Sequence, residues 1–230
     1  MTVEVKDVSK DYGALRVLRG VSFRAEPGRP VAVTGPSGSG KTTLLRIVMG
    51  LEAPDAGSVA FTGGPPKPRF GAVFQEDRLF EDFDAVTNIR LAAGSARREE
   101  IRAELLKLLP EDALMKPVSS LSGGQRRRAA IVRAILSPGD VLIMDEPFAG
   151  LDAENASRAM DYIRESSLAR PLILAVHEKD VPPWCERVSV EACSVEQTLP
   201  VLIARDRHFC FPGEGRTAAT IGASRSRKQA

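Results

Sequence analysis

The chain of 230 residues is poor in cysteine and in aromatic residues. It has three cysteines, Cys185, Cys193 and Cys210, and Phe, Trp and Tyr together make up 5% of the sequence. An odd number of cysteines argues against a disulfide framework, and their spacing fits no zinc-binding pattern, so we expect reduced thiols in a cytoplasmic protein. Few aromatic residues leave few platforms on which the bases of single-stranded nucleic acid could stack.

Long apolar runs and a strong charge of one sign are missing too. No apolar stretch approaches the ~20 residues that a membrane-spanning helix needs, and residues 1–7 contain no signal-peptide core. If this protein works at a membrane, we expect another chain to provide the span. The formal net charge of +2 is too small to indicate nucleic acid as a partner by itself.

The composition that remains is ordinary for a globular protein, with 43% hydrophobic and 27% charged residues. We expect one folded domain over residues 1–211, with a helical subdomain at about residues 77–136. Residues 212–230 are rich in Gly, Ala, Ser and Arg and show no apolar period, which predicts a disordered basic tail.

Apolar periodicity and turn residues place the secondary structure. Strands are predicted at residues 2–8, 16–23, 31–34, 58–62, 69–75, 141–144 and 172–176, with short ones at 187–191 and 199–204. Helices are predicted at residues 97–109, 126–136 and 155–167, and residues 121–125 are predicted to form a turn. The pattern indicates an α/β fold in which antiparallel strands flank a core of buried strands.

The most informative stretch, residues 35–43, reads Gly-Pro-Ser-Gly-Ser-Gly-Lys-Thr-Thr. A β-branched run precedes it and an apolar run follows, which gives the strand, loop and helix context of a phosphate-binding P-loop. Its glycines let successive N–H groups face an anion, and the helix start adds a favourable dipole. A glycine-rich surface turn is the alternative, but it gives no reason for those flanks. The predicted nucleotide-binding residues are Gly35, Pro36, Ser37, Gly38, Ser39, Gly40, Lys41, Thr42 and Thr43.

Within this loop, Lys41 is placed to reach the β- and γ-phosphates, and the Thr42 hydroxyl is placed to ligate Mg²⁺. Two carboxylates, Asp145 and Glu146, end the apolar strand at 141–144. The first is suited to hold the water shell of Mg²⁺, and the second to orient an attacking water as general base. A solvated acidic pair at a strand end is the alternative for the pair considered alone.

A second glycine motif, Leu-Ser-Gly-Gly-Gln at residues 121–125, is called the signature below. Gly123 and Gly124 allow backbone N–H groups to face an anion, and Ser122 can donate its hydroxyl. Because a helix is predicted just after Gln125, the chain carries two helix starts that favour phosphate.

The P-loop, the signature and an apolar strand ending in Asp-Glu, in this order, resemble the ATP-binding subunit of an ABC (ATP-binding cassette) transporter. The resemblance covers about residues 3–190 and implies a P-loop NTPase fold with a RecA-like core, an antiparallel β-subdomain and a helical subdomain. It implies ATP and Mg²⁺ as cofactors. It also implies a head-to-tail dimer in which ATP lies between Lys41 of one subunit and Ser122 of the other.

The resemblance implies roles for four further residues, each with a plainer alternative. Tyr12 matches the aromatic that stacks on adenine, or is a tyrosine at a strand edge. Gln75 matches the glutamine that contacts Mg²⁺ or the attacking water, or is a surface residue. Asp152 matches the acid of a loop that crosses the dimer interface, and a helix N-cap role can coexist with it. His177 matches the histidine that contacts the γ-phosphate, or is structural.

The implied site can be summarised by role. The catalytic residues are Lys41, Gln75, Glu146 and His177, and the Mg²⁺ contacts are Thr42, Gln75 and Asp145. Beyond the P-loop, the nucleotide contacts are Tyr12, Ser122, Gly123, Gly124, Gln125 and Asp152. Departures from the family pattern are mild, such as Glu178 where Asp is usual. The arginines at 126–128 are interpreted as a solvated helix face rather than a nucleic-acid patch.

The implied function is ATP hydrolysis at the cytoplasmic face of a membrane, driving transport through separate permease subunits. The implied partners are a second copy or another ABC subunit, the permease, and for an importer an extracytoplasmic substrate-binding protein; nucleic acid is not among them. Residues 74–80 and 86–89 resemble importers of the nitrate, sulfonate and taurine group, although Phe-Glu-Asp-Phe at 80–83 departs from their usual Leu-Pro-Trp. The alternatives are a soluble ABC ATPase of DNA repair or translation, an export or cell-division cassette, and a small-molecule kinase.

Overall fold

A computed structural model of the chain describes residues 1–94 and 96–191. In chain order the strands are β1 (Thr2–Tyr12), β2 (Leu15–Ala25), β3 (Val31–Thr34), β4 (Ala56–Thr62), β5 (Phe70–Val73), β6 (Val141–Asp145), β7 (Leu172–Val176) and β8 (Glu186–Ser189). The α-helices are α1 (Lys41–Val48), α2 (Ala85–Ala93), α3 (Arg98–Leu106), α4 (Gly123–Leu136) and α5 (Ala153–Ser167). The predictions for Cys193, Cys210, the strand at 199–204 and the tail at 212–230 lie outside the described residues.

Five strands form a parallel sheet in the order β5-β6-β7-β3-β8. Every residue of β3, β6 and β7 is buried, which accounts for their continuous apolar runs. Alternate residues of β6 serve two separate cores: Leu142 and Met144 pack towards the helices α4 and α5, and Val141 and Ile143 pack towards α1. The sheet is therefore covered on both faces.

The second sheet is antiparallel, with the order β2-β1-β4. Val3, Val5 and Val8 of β1 are buried and join the core that contains α1 and one face of the parallel sheet. The predicted antiparallel group is thus confirmed. The predicted strand at 69–75 is shorter than expected, because β5 spans only four residues, and it pairs in parallel with β6 in the other sheet.

Helices α2, α3 and α4 pack on one another within the predicted helical subdomain. The predicted helix at 97–109 was too long, since α3 ends at Leu106. Leu108 and Leu109 follow in a turn whose N–H groups bond to the carbonyl of Leu105, and both side chains remain buried. No helix of the described part of the chain combines the length and the apolar character needed to cross a bilayer.

The prediction of a turn at 121–125 followed by a helix from 126 was wrong in its boundary, because α4 already begins at Gly123. Ser122 is its N-cap: its hydroxyl accepts from the Gln125 N–H at 3.2 Å, and the Gln125 side chain accepts from the Ser122 N–H at 2.9 Å. This reciprocal capping starts the helix within the signature, despite two glycines in its first turn. The α/β fold class itself is confirmed.

Candidate active site

The carboxyl edge of the parallel sheet gathers most of the predicted site. The P-loop follows β3, Gln75 lies just past β5, Asp145 ends β6 and His177 follows β7. Because the strands are parallel, segments separated by up to about 140 residues emerge side by side at this edge. Ligands of open α/β sheets bind in this position.

Gly40 shows why the P-loop requires glycine where it enters helix α1. Its φ of 94° lies in the left-handed region, a backbone conformation that residues other than glycine rarely adopt. A Cβ at this position would lie 2.5 Å from Cγ1 of Val17, so there is no room for a side chain either. The glycine lets the loop turn tightly into α1, whose first N–H groups then face the cleft.

The Lys41 side chain is buried and lies over its own loop. Its Nζ donates to the carbonyl oxygens of Gly35 at 2.8 Å and Pro36 at 3.0 Å. The buried hydroxyl of Ser39, in the same loop, has no hydrogen-bond partner among the described residues. An ammonium group at the loop and an unpartnered donor within it suit a phosphate ligand.

Thr42 and Asp145, two of the three residues predicted to contact Mg²⁺, are hydrogen-bonded to each other. The Thr42 hydroxyl donates to Oδ2 of Asp145 at 2.7 Å, and the carboxylate is 5% exposed. Burial raises the pKa of Asp145, the nearby charge of Glu146 raises it further, and the Thr42 bond and Lys41 oppose the rise. A hydroxyl, a carboxylate and a nearby amide oxygen of Gln75 are hard oxygen donors of the kind that Mg²⁺ prefers. Within the described ranges no three His, Cys, Asp or Glu side chains cluster as a metal site.

Glu146 and His177 face each other next to this pair. Nε2 of His177 lies 3.3 Å from Oε1 of Glu146, although the two residues follow different strands. Glu146 has a φ of 49°, an uncommon backbone conformation for a residue with a side chain. Its N–H donates to the carbonyl of Ala175 at 2.8 Å, which fixes that turn. Strain of this kind concentrates at functional sites.

A cavity of about 310 Å³ joins these residues. It is lined by Tyr12, Val17, Ser37, Gly38, Gly40, Lys41, Thr42, Thr43, Gln75 and Glu146. The structure therefore brings Tyr12 and Gln75 to the P-loop, from elements far apart in the sequence. The signature and Asp152 are not part of this lining.

Tyr12 is an exposed aromatic ring at the mouth of the cavity, at the last residue of β1. Its hydroxyl donates to the carboxylate of Glu52, and this bond is the largest cause of the raised pKa of Tyr12. Nζ of Lys10 lies 5.6 Å from the ring centroid. The ring is thus held by its neighbours in a position that a purine could stack on.

Asp152 is the N-cap of α5, as one of its two predicted roles requires. Its carboxylate accepts from the backbone N–H of Asn155 at 2.9 Å and from the Asn155 side chain at 2.7 Å, which lowers the pKa of Asp152. The interface role stays a prediction. Ser122 and Gly123, at the start of α4, are exposed, and a Cβ at Gly123 would meet no atom outside its own helix and chain neighbours within 4 Å.

The interpretation of residues 126–128 as a solvated face was wrong for two of the three arginines. Arg127 and Arg128 are each 8% exposed. Arg127 donates to the carbonyls of Phe74 and Gln75, and Arg128 donates to the carbonyl of Leu108 and to the side chain of Asn155. A charge run was misread because buried guanidinium groups satisfied by carbonyls give no local sequence signal.

A comparison with protein families identifies the chain. Residues 18–149 match the family described as ABC transporter, which is more than half of the chain. The chain belongs to the ABC transporter family.

Curated ABC relatives support the same assignment. The sulfate/thiosulfate import ATP-binding protein CysA of Bradyrhizobium diazoefficiens is 39% identical over 71% of this chain and 52% of its own length. The Fe(3+) ions import ATP-binding protein FbpC 3 of Rhodococcus jostii is 40% identical over 82% of this chain and 59% of its own length. The chain thus spans little more than half the length of these relatives.

Solved ABC structures share the fold. An ATP-binding cassette whose dimer was solved in a post-hydrolysis state with ADP and Pi has a TM-score of 0.71 and 26% identity, over 83% of this chain and 96% of that one. An ABC transporter ATP-binding protein from Pyrococcus furiosus has a TM-score of 0.74 and 23% identity, over 83% of this chain and 98% of that one. At this identity the likeness shows the fold alone. The P-loop NTPase fold of an ABC ATPase is therefore confirmed.

Proposed function

We propose that this chain is the ATP-binding and ATP-hydrolysing subunit of an ABC transporter. The proposal is carried by the convergence of five residues at the carboxyl edge of the parallel sheet: Lys41, Thr42, Gln75, Asp145 and Glu146. All of them except Asp145 line a single cavity. Phosphoryl transfer to water requires a loop that binds the phosphates, residues that can hold Mg²⁺, and a group that orients the attacking water. The P-loop, the pair of Thr42 and Asp145, and Glu146 beside His177 are suited to these tasks.

Each group has a separate task in the proposed reaction. The P-loop N–H groups and Lys41 bind the phosphates and stabilise the charge that develops on the γ-phosphoryl group. Glu146 orients the attacking water and accepts its proton, and His177 holds the Glu146 carboxylate in place and contacts the γ-phosphate. Thr42 and Asp145, with Gln75 nearby, would hold Mg²⁺, which would neutralise charge on the phosphates.

The proposal includes a head-to-tail dimer, formed with a second copy or with another ABC subunit. Its support is that Ser122 and Gly123 are exposed at the start of α4, and that the signature does not line the cavity of its own P-loop. Ser122 and the first N–H groups of α4 then complete the nucleotide site of the partner subunit. Binding of two ATP molecules closes the pair, and hydrolysis loosens it.

A groove of about 550 Å³ supports a permease partner. Its lining includes Phe70, Phe74, Phe80 and Leu91, and two of these side chains are largely exposed: Phe80 at 61% and Leu91 at 59%. Exposed apolar side chains gathered along one groove are typical of a surface that binds another protein. Since the groove borders the segment of Gln75, a permease helix docked here would sense the nucleotide site and hold the chain at the cytoplasmic face of the membrane.

We infer import as the direction of transport, because the relatives described above are named as import proteins. An importer would add a substrate-binding protein on the far side of the membrane. The narrower prediction of a nitrate, sulfonate or taurine importer has support only from residues 74–80 and 86–89, since those relatives are named for sulfate/thiosulfate and for Fe(3+).

The deciding experiment combines turnover with capture from membranes. Purified chain should release phosphate from ATP without an acceptor, and Lys41→Ala should abolish this release, whereas a small-molecule kinase needs an acceptor. A tagged chain should retain a multi-span permease from detergent-solubilised membranes, and Leu91→Asp should lose it. Leu168→Asp, at an equally exposed leucine outside the groove, should retain it. Capture of nucleic acid or ribosomes would support a soluble repair or translation ATPase instead.

A further inference from the structure

Helix α4 holds the segment that carries Gln75 through two arginines. Nη1 of Arg127 donates to the carbonyl of Phe74 and its Nη2 to the carbonyl of Gln75, both at 2.6 Å. Six residues further along the helix, Nη2 of Arg133 donates to the carbonyl of Asp77 at 2.9 Å, and its Nη1 donates to the carbonyl of Arg78. Four carbonyls within residues 74–78 are therefore bound by a single helix.

The same helix begins with the signature. Ser122 is the N-cap of α4, and Arg127 and Arg133 project from that helix onto the residues 74–78. An ion pair between Arg127 and Asp77, at 3.3 Å, adds to the contact. Because an α-helix is rigid over this length, a shift of the signature moves the guanidinium groups and the carbonyls they bind.

Gln75 depends on this support. Its side chain is exposed and makes no hydrogen bond within residues 1–94 and 96–191, so the position of its amide follows from its backbone. That backbone leaves β5 at Val73, and after this residue the sheet no longer holds it. The carbonyl contacts of Arg127 are what fix Gln75 beside the cavity shared with Lys41 and Glu146.

We infer that Arg127, supported by Arg133, is a positioning residue that couples the signature to Gln75. The inference rests on the proposed function. When the signature of one subunit binds the ATP held by the partner subunit, Arg127 would position Gln75 next to the ATP bound by its own subunit. One nucleotide site would thereby report to the other through α4. A planar guanidinium is suited to this role because it binds two carbonyls at once in a fixed geometry.

A double-mutant cycle on the full chain tests the coupling. Arg127→Gln and Gln75→Ala should each lower kcat for ATP by about 10- to 100-fold with little change in KM, since displacement of a catalytic group by about 1 Å has effects of this size. If Arg127 acts through Gln75, the double variant should be no slower than Gln75→Ala alone. Arg127→Lys keeps the charge but lacks the two parallel N–H donors of the planar guanidinium, so it should restore kcat in part.

Arg170→Gln is the matched control, because Arg170 also binds carbonyls next to α4, those of Ile135, Ser137 and Gly139, but none in residues 74–78. In the double variant with Gln75→Ala, the kcat reduction should be the product of the two single reductions.

Hydrogen exchange on the chain without nucleotide, which needs no turnover, should be faster at residues 74–78 in Arg127→Gln and unchanged there in Arg170→Gln. The coupling would be overturned if the kcat reductions of Arg127→Gln and Gln75→Ala multiplied in the double variant. Unchanged hydrogen exchange at residues 74–78 in Arg127→Gln would also overturn it. Absence of ATP hydrolysis by the unmodified chain would instead contradict the proposed function, and the exchange measurement would still decide on the contact.

Discussion

Nε2 of His177 lies 3.3 Å from Oε1 of Glu146, across the gap between two neighbouring strands of the parallel sheet. Glu146 takes this position with a φ of 49°, while its N–H is held by the carbonyl of Ala175. The carboxylate that we propose as general base is thus aimed by its backbone and by its neighbour.

Glu146→Gln tests the general base. The variant keeps the shape of the side chain but cannot accept a proton, so we expect ATP binding to persist and turnover to fall by about 10²- to 10⁴-fold. Because ATP then persists between the subunits, a stable ATP-dependent dimer should appear in size-exclusion chromatography. Glu178→Gln, at an exposed acid one residue after His177, should leave turnover unchanged. Normal turnover in Glu146→Gln would refute the assignment.

Asp145→Asn tests the Mg²⁺ site. The Thr42 hydroxyl keeps a hydrogen-bond acceptor in this variant, but the charge that favours a divalent cation is lost. We expect Mg²⁺ to strengthen ATP binding to the unmodified chain and to have little effect on the variant, as measured with a fluorescent ATP analogue. The control is Asp140→Asn, just before the other end of β6, where the carboxylate accepts from the Arg69 N–H. If Asp145→Asn keeps its full response to Mg²⁺, the ion is held elsewhere.

Tyr12 offers a test that separates stacking from hydrogen bonding. Tyr12→Ala should weaken ATP binding by about 1–3 kcal/mol, the range found for stacking of a base on an aromatic side chain. Tyr12→Phe removes the bond to Glu52 and keeps the ring, so its affinity should stay close to that of the unmodified chain. Equal losses in both variants, by isothermal titration calorimetry, would show that the tyrosine serves the strand edge and not the base.

Mixing of two inactive variants tests the shared site. Lys41→Ala removes the P-loop cation, and Ser122→Arg blocks the signature at the start of α4, so each variant alone should lack ATPase activity. In a head-to-tail pair of one Lys41→Ala and one Ser122→Arg subunit, both defects fall in the same nucleotide site, and the other site is intact. Partial recovery of activity on mixing is therefore expected. No recovery, together with light scattering that never detects a dimer, would exclude the sandwich.

The local motifs could be assigned from sequence because each one depends on its own residues. The P-loop needs glycine at position 40 for a φ of 94°, and a glycine in that spacing is visible in the chain. The strands β3 and β7 were predicted with their observed ends, since both are short, fully buried and bounded by polar or turn residues. The end of α3 and the start of α4 were misplaced, because capping and a tightened last turn override the apolar period.

The sequence by itself determined the chemistry: a phosphate loop, two carboxylates at a strand end, and a second glycine motif that starts a helix. Only the tertiary structure decided which of these groups meet and what holds them there. Arg127 reads as one of three surface charges in the sequence, yet it is buried against the carbonyls of Phe74 and Gln75. The physical reason is that such a contact joins segments more than 50 residues apart, and the packing of α4 against β5 creates it.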